Sequence, residues 1–482
     1  MPSPPPRPTH DLLVLGGGAA GLVAASTARR LGATVALVEA RALGGDCLHG
    51  GCVPSKAFLH VAAAAQAARR LGAALPSPAG SVALAAARRA VDAVAPHDAP
   101  ARYRALGVDV RLATARLLAG GTVAAGEEIL RARRLVLATG SRPRRPLWEG
   151  LERLPWVDTD TLWSRSELPP RLTVVGGGAS GCELAQAFAR LGHEVRLVEA
   201  RERLLPEEDG EAARLLASVL AEEGVGLVLG ARVESAVPAG SGARVRVHHG
   251  DGTASDWTTD LLVFTLGRVP SPDPEGLGAL APRRTASGYV AVDACLRTSV
   301  RGLYACGDAT GPPQATPIAG RQGWCAAANA LLAPFARLRW DGTPLVRVVY
   351  TDPEIATVGF PGEEEAPRTV EVDLGEIDRA LLEERTRGFL RLGLDRRGRL
   401  RHAVLVAPHA GELAGELALT VGRDVGRLFT NPRAYPLYGE ILARAAARPL
   451  EERWRGLPAH LAGAVLALGR RLPPRLAGSP RP

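Results

Sequence analysis

At 482 residues, 46% of them hydrophobic, the chain is long enough for about three domains at roughly 150 residues each and apolar enough to bury a real core. Its formal net charge of +9 comes from arginines scattered along the chain, without the aromatic-interleaved basic block of a single-strand binder; a solvated arginine surface explains the charge, and no nucleic-acid partner is expected. No apolar run approaches the roughly 18–20 residues of a membrane span, and MPSPPPRPTH at the start lacks the apolar region of a signal peptide, so these residues are expected to be a flexible tail and the protein to be cytoplasmic.

The first predicted module is LLVLGGGAAGLVAASTARRLGATVALVEAR at 12–41. It reads as an apolar strand, a GxGxxG turn, a helix of small residues, a second strand and a terminal Glu. A lone GxGxxG is a weak signal, but the same module returns without a gap as LTVVGGGASGCELAQAFARLGHEVRLVEAR at 172–201. Each copy then has the context of a dinucleotide-binding unit. Gly16 and Gly176 make the tight turn, Gly18 and Gly178 let backbone approach a pyrophosphate, and Gly21 and Gly181 let helix pack on strand. The pyrophosphate sits at the helix N-terminus, where unpaired N–H groups and the helix dipole favour an anion. Glu39 and Glu199 fall where a carboxylate accepts hydrogen bonds from ribose hydroxyls. Two such units imply two dinucleotides. A carboxylate at Glu199 repels a 2′-phosphate, which favours NADH over NADPH; Arg201 and Arg203 stand close enough to weaken that preference.

Between the two modules lies GGDCLHGGCVPSK at 44–56, which ends in Lys56, the only lysine in the chain. Of the six cysteines, only Cys47 and Cys52 are closely spaced. A C-x4-C pair in a cytosolic chain is redox-active or metal-binding more often than structural. With His49 inside the spacing the pair is also half of a zinc set, but structural zinc wants four ligands and His60 is the only other candidate nearby. On a regular helix, residues five apart have Cα atoms roughly 8.6 Å apart, beyond the ~7 Å that a disulfide tolerates. A bridge therefore needs a distorted backbone, which Gly50 and Gly51 permit. Pro54 is tolerable only in the first turn of a helix, so a helix is expected to start near Cys52, where its N-terminus lowers the thiol pKa. Lys56 falls one turn later on the same face, where an ammonium is not interchangeable with a guanidinium. Cys182, Cys295, Cys306 and Cys325 lie in apolar or small-residue settings and are expected to be buried.

Taken with LVLATGSRP (135–143), LLVFTLGRVP (261–270), TSVRGLYACGDAT (298–310), VVYTDPEIATVG (348–359) and APHAGELAGELAL (407–419), the cysteine stretch resembles the active-site signature of the class I pyridine nucleotide-disulfide oxidoreductases. These are the group of dihydrolipoamide dehydrogenase, glutathione reductase and mercuric reductase. The resemblance covers roughly residues 10–450. It implies an α/β protein with two Rossmann-like dinucleotide-binding domains and a C-terminal α+β dimerisation domain, working as a homodimer. FAD, one per subunit, belongs to residues 1–150 and 265–335, NAD(P)H to 151–264, and dimerisation to 336–455. Thr139, Gly140 and Gly267 are implied as further cofactor contacts, and Asp308 as a contact to the ribityl and phosphate portion of the flavin. Glu183 is implied as the partner of Lys56 near the flavin. The implied chemistry runs from NADH through FAD to a Cys47–Cys52 disulfide. Cys52 becomes the thiolate next to the flavin, and Cys47 the thiol that meets the substrate.

The chain departs from that pattern at NPRAYPLYGEI, 431–441. Disulfide-reducing members carry His-Pro followed by Glu, the His being the acid/base for the dithiol. Here Pro436 and Glu440 remain, but the His position is Tyr435, whose ordinary pKa near ~10 makes it a poor proton shuttle. Mercuric reductases also place Tyr in this region. The expected function is therefore mercuric reductase-like: electrons pass through flavin and the Cys47/Cys52 pair to a thiol-bound metal such as Hg(II) or to a disulfide acceptor. A dihydrolipoyl dehydrogenase is the alternative, and an FAD-binding redox sensor without useful turnover the third. The C-terminal LAGSPRP lacks the vicinal Cys pair that hands metal inward in mercuric reductases. The tail at 456–482 is expected to form a short basic amphipathic helix that docks on the body, with peripheral membrane contact as the lesser reading.

Overall fold

The computed structural model describes residues 8–73, 79–118, 122–335, 337–340, 342, 345–359 and 366–455, with 463, 464, 467, 468 and 470 near the C-terminus. The expected N-terminal tail lies outside the described residues up to position 7, and so does the expected helix of 456–482 apart from those five residues. The chain divides into two compact units, 1–342 and 343–482.

In the first unit, two parallel sheets are wound alike. One runs Val108–Leu112, Val35–Glu39, His10–Leu15, Glu128–Leu137, Leu303–Ala305. The other runs Val225–Val228, Glu194–Val198, Arg171–Val175, Leu261–Phe264, Trp156–Asp158. Strands covered on both faces read as unbroken apolar runs. Leu12, Val14, Val35 and Leu37 turn to one core, Leu13, Leu15, Ala36 and Val38 to the other. The first face is covered by the helices Ala19–Arg30 and Thr316–Leu332, whose alanines (Ala20, Ala24, Ala28, Ala326, Ala327, Ala330) share one core. The helices approach so closely that a Cβ on Gly323 would collide with the Ala20 carbonyl. The small-residue helix of the glycine module is thus a packing requirement as well as a phosphate platform. The second sheet is covered on one side by an antiparallel sheet of Ala231–Ala239, Gly242–His249 and Ala254–Thr259, which buries Ala243, Val245 and Val247 against Leu262 and Phe264.

The second unit is built on five antiparallel strands in the order Val346–Val349, Glu354–Gly359, Leu400–Ala407, Phe389–Leu394, Arg368–Asp373. Leu390, Leu392, Ala403 and Leu405 from this sheet share a core with Leu417 of the helix Ala410–Thr420 and with Ile441, Leu442 and Ala445 of the helix Glu440–Arg455.

Candidate active site

Both glycine turns have the shape that the spacing predicts. Gly16 and Gly176 hold left-handed φ values of 110° and 112°, which disfavour any residue with a Cβ. A Cβ on Gly21 or Gly181 would strike the carbonyl oxygen of Gly16 or Gly176. Each turn opens a helix of 12 residues, Ala19–Arg30 and Ala179–Arg190, capped by Gly18 or Gly178 with no side chain bonded to the cap. At Gly178 a Cβ would meet nothing within 4 Å, and at Gly18 only the Gly45 Cα at 3.7 Å. These are cradles that a side chain would fill and a pyrophosphate fits, with helix N–H groups facing it. Glu39 accepts the Gly17 N–H at 2.6 Å and the Arg41 N–H at 2.8 Å. Glu199 repeats this with Gly177 at 2.6 Å and Arg201 at 2.8 Å. Both carboxylates are therefore fixed by backbone at the strand ends. Gly140 and Gly267 take φ values of 72° and 80°, and a Cβ on either would meet nothing within 4 Å. Thr139 stands between Gly140 and Ala138, whose carbonyl closes on Gly16.

The cysteine loop hangs from the first turn. The Gly44 N–H donates to the Gly17 carbonyl at 2.9 Å, and Gly44 and Gly45, with φ of 100° and 58°, swing the chain into the short helix Gly45–His49. The Asp46 carbonyl then accepts N–H bonds from Gly50 at 2.8 Å and Gly51 at 2.6 Å. Gly50 and Gly51 break the helix between the cysteines, as the spacing requires: Gly50 (φ −127°, ψ −20°) ends the first helix, and Gly51 (φ −111°, ψ −109°), outside the helical region, precedes the second. Space is tight there as well. A Cβ on Gly50 would come within 3.0 Å of Asp46 Oδ1, and one on Gly51 within 3.0 Å of Asp46 Oδ2. The helix Cys52–Arg70 starts at the second cysteine, with Pro54 buried in its first turn. Trp163 pins the loop by donating Nε1–H to the Gly50 carbonyl at 2.7 Å, and it packs edge-on against Phe58, which meets Phe188 in the same way.

Cys47 and Cys52 are free thiols in this structure, and each acts on the acidity of the other. Their interaction splits their acidities. The hydrogen bond from Cys47 brings the Cys52 thiol down to about 6 against the opposing effect of burial; the Thr316 hydroxyl, 3.4 Å away, and the Lys56 ammonium add to the lowering. Cys47 is pushed well above its ordinary range, by the same bond first and by burial second. Near neutral pH the pair is a thiolate at Cys52 and a thiol at Cys47. Lys56 Nζ lies 2.8 Å from Glu183 Oε2, with the Glu183 carboxylate almost fully enclosed. Thus Cys47, Cys52, Lys56 and Glu183 come together. Cys182, Cys295, Cys306 and Cys325 are all buried, and burial pushes Cys306 up to about 12.

Asp308 accepts the Ser141 hydroxyl at 2.6 Å, and Ser141 in turn receives Arg268 Nε at 2.7 Å. Arg268 also lies 3.2 Å from Asp46, 3.9 Å from Asp308 and 4.0 Å from Asp160. Burial pushes the Asp46 carboxyl up to about 7 against the pull of Arg268, with Asp160 and Asp308 raising it further. Thr316, Asp46, Arg268, Ser141 and Trp163 are site residues that the motif reading passed over. Asp46 and Arg268 stand inside quoted motifs, and Thr316 is announced by the Thr-Pro helix start. Ser141 also stands inside a quoted motif, LVLATGSRP; only Trp163 depends on a tertiary contact that no local pattern encodes.

Tyr435 and Glu440 belong to the second unit. Tyr435 is 71% exposed, and its hydroxyl donates to Asp378 Oδ2 at 2.7 Å. That bond, with the Asp378 charge, raises its pKa. Glu440 is paired through Oε1 with Arg444 at 2.7 Å. Among the described residues no group of three or more His, Cys, Asp or Glu is arranged to hold a metal, and His49 Nε2 sits 2.8 Å from the Leu43 carbonyl. No helix among the described residues is long and apolar enough to cross a membrane.

Comparison with known proteins adds three findings. Residues 10–323 match the family model of the pyridine nucleotide-disulphide oxidoreductases, and residues 345–446 match the dimerisation domain of the same family. A mercuric reductase of Lysinibacillus sphaericus is 30% identical over 92% of this chain and 84% of its own length; a dihydrolipoyl dehydrogenase of Thermus scotoductus is 32% identical over 91% and 97%. The crystal structure of LpdA from Mycobacterium tuberculosis superposes with a TM-score of 0.81 at 29% identity, over 91% of this chain and 99% of LpdA.

Proposed function

The chain belongs to the pyridine nucleotide-disulphide oxidoreductase family, and from that premise we propose that it is an FAD-dependent, NADH-preferring reductase that acts on a thiol-bound metal such as Hg(II) rather than on lipoamide. The observation that carries this reading is the state of Tyr435. Its hydroxyl is spent on Asp378 and its pKa is raised, so it neither takes nor gives a proton readily near neutral pH. A dithiol substrate must exchange protons with the site as its sulfurs interchange; a metal passed between thiolates has no such need. Bound FAD would supply the two-electron relay between reduced nicotinamide and the sulfurs.

The chain's own residues do the rest. The first glycine turn, Gly140 and Asp308 would hold FAD; the second turn, Glu199 and Gly267 would hold the nicotinamide dinucleotide. Lys56, fixed by Glu183, and Thr316 keep Cys52 ionised. Cys47, protonated by its bond to Cys52, is the sulfur available for exchange. The NADH preference rests on Glu199. Arg203 does not offset it, because its guanidinium already donates to the carbonyls of Leu205, Pro206 and Glu208. We place FAD on residues 1–150 and 265–335, the nicotinamide on 151–264 and the subunit interface of a cytoplasmic homodimer on 336–455.

The relative named dihydrolipoyl dehydrogenase, at 32% identity, supports the second reading, lipoamide turnover. Steady-state kcat/KM for Hg(II) presented as a small-thiol adduct and for lipoamide, in the parent and in Tyr435→His, separates the two. The metal reading expects Hg(II) consumption in the parent and poor lipoamide turnover that rises on the order of 10²-fold in the His variant, the scale of one acid–base group. Efficient lipoamide turnover by the parent would overturn it.

A further inference from the structure

The residue directly before Cys47 is an aspartate, and its carboxylate is held from outside the loop. Asp46 does two things inside the loop. Its carbonyl takes the N–H groups of both Gly50 and Gly51, and its carboxylate lies over the same two glycines, so that a Cβ on either would meet a carboxylate oxygen at 3.0 Å. The side of the loop that carries Cys47 is thereby folded onto the side that leads into Cys52. Outside the loop, Arg268 lies 3.2 Å from Asp46 Oδ1. Arg268 is itself anchored, through Nε to the Ser141 hydroxyl at 2.7 Å and through Nη2 to the Ser141 carbonyl at 3.0 Å, while its backbone pairs with the strand Ser141–Pro143. The Tyr289 hydroxyl donates to its carbonyl at 3.1 Å. The guanidinium is 19% exposed and is shared with Asp160 and Asp308. An arginine fork fixed on one side by a hydroxyl and a carbonyl presents a rigid donor to the other.

We propose that Arg268 is a positioning residue for the thiol pair: by clamping Asp46 it keeps the cysteine loop closed and Cys47 in contact with Cys52. Two sulfurs held in contact lose little further freedom when they join, so the clamp favours the disulfide over the dithiol. The inference rests on the reading of Cys47 and Cys52 as the redox pair.

The test is anaerobic equilibration of the FAD-loaded protein with mixtures of oxidised and reduced glutathione. In that exchange one oxidised glutathione takes two electrons and two protons from the two thiols, giving the Cys47–Cys52 disulfide and two reduced glutathiones. Acid quenching, alkylation and mass spectrometry of the cysteine peptide give the equilibrium constant for the parent, Arg268→Met, Asp46→Asn and the double variant. The clamp expects each single variant to weaken the disulfide about tenfold, or about 30 mV for this two-electron couple. The double variant is expected to be no weaker than either single, because both remove one interaction. Equal constants in parent and single variants would overturn the proposal, as would losses that multiply in the double. Should Arg268→Met fail to retain flavin, Asp46→Asn decides alone when compared with the parent at about pH 8, above the raised Asp46 pKa of about 7, since it keeps the side chain's shape and removes its charge. A parent that forms no Cys47–Cys52 disulfide at any glutathione ratio would instead defeat the redox-pair reading beneath the proposal.

Discussion

In the first glycine unit the Gly44 N–H closes onto the Gly17 carbonyl at 2.9 Å; in the second, the Leu205 N–H closes onto the Gly177 carbonyl at 2.8 Å. Leu43 and Leu204 cover Gly17 and Gly177 in the same way, and Gly44 and Leu205 both adopt positive φ, 100° and 46°. Beyond that point the units part. In the first, Gly45 brings its backbone against Gly18 and the chain enters the cysteine loop. In the second, Pro206 follows and Asp209 caps the helix Gly210–Glu222, its carboxylate accepting the Glu211 and Ala212 N–H groups at 2.9 and 3.0 Å. One glycine turn is walled by the dithiol loop, and the other opens onto free space at Gly178. The same module, with a different exit, becomes a seat built into the reaction centre in one case and an accessible docking turn in the other. The second glycine module still reaches the chemistry through one side chain, Glu183, which its helix sends to Lys56.

The largest expected effect cuts the two functions apart. Cys52→Ser abolishes acceptor reduction while NADH still bleaches the flavin, as stopped-flow absorbance will show; loss of bleaching as well would mean that the two turns are not separable. Next comes Gly45→Ala. It adds a Cβ 2.6 Å from the Gly18 Cα at a residue with φ of 58°, and overpacking on this scale destabilises by about 1–3 kcal/mol in urea unfolding, with weakened flavin retention. Gly178→Ala is its counterpart. With nothing within 4 Å of the new Cβ, stability stays within about 0.5 kcal/mol, but KM for the nicotinamide rises. Equal destabilisation by the two variants would erase the difference between the turns.

How far these features are legible in sequence follows the same division. The strand–turn–helix–strand modules are local: their apolar runs, glycine spacing and small-residue helices are set by contacts within about thirty residues, and the folded elements at His10–Glu39 and Arg171–Val198 follow them. The helix start at Cys52 is local too, announced by Pro54. The reason for Gly50 and Gly51 is only partly so. Conformational freedom is the ordinary reading of a glycine pair, and the helix break at Gly50 and Gly51 agrees with it; the tight fit of both under the Asp46 carboxylate, and of Gly50 beside Asp160 from a distant part of the chain, adds a reason that the motif does not announce. Arg268, Ser141 and Asp160 are distant in sequence and meet only once both sheets have formed.

A smaller, pH-dependent effect belongs to the thiols. Cys52 falls from its ordinary 9.0 to about 6, so between about pH 6 and 9 the unfolded chain binds the extra proton and stability rises with pH. Cys47 is raised from 9.0, so above pH 9 the unfolded chain ionises first and stability falls. Reduced protein compared with the Cys47→Ser/Cys52→Ser double variant should therefore gain stability from pH 6 to 9 and lose it above; a flat difference would refute the split acidities. Smaller still is Lys56→Met, which removes a lesser contributor to the lowered Cys52 pKa. With Lys56 partly solvated, a small rise of the Cys52 pKa is expected, read from the pH profile of Cys52 alkylation.

The central claim is that reduction leaves a thiolate at Cys52 beside the cofactor that the first turn holds. Anaerobic titration of the flavin-loaded protein with NADH, followed by visible spectroscopy, tests it most directly. The account predicts a long-wavelength charge-transfer band on two-electron reduction that fades as the pH falls through about 6 and is absent in Cys52→Ser. Full bleaching of the flavin with no such band at any pH would contradict it.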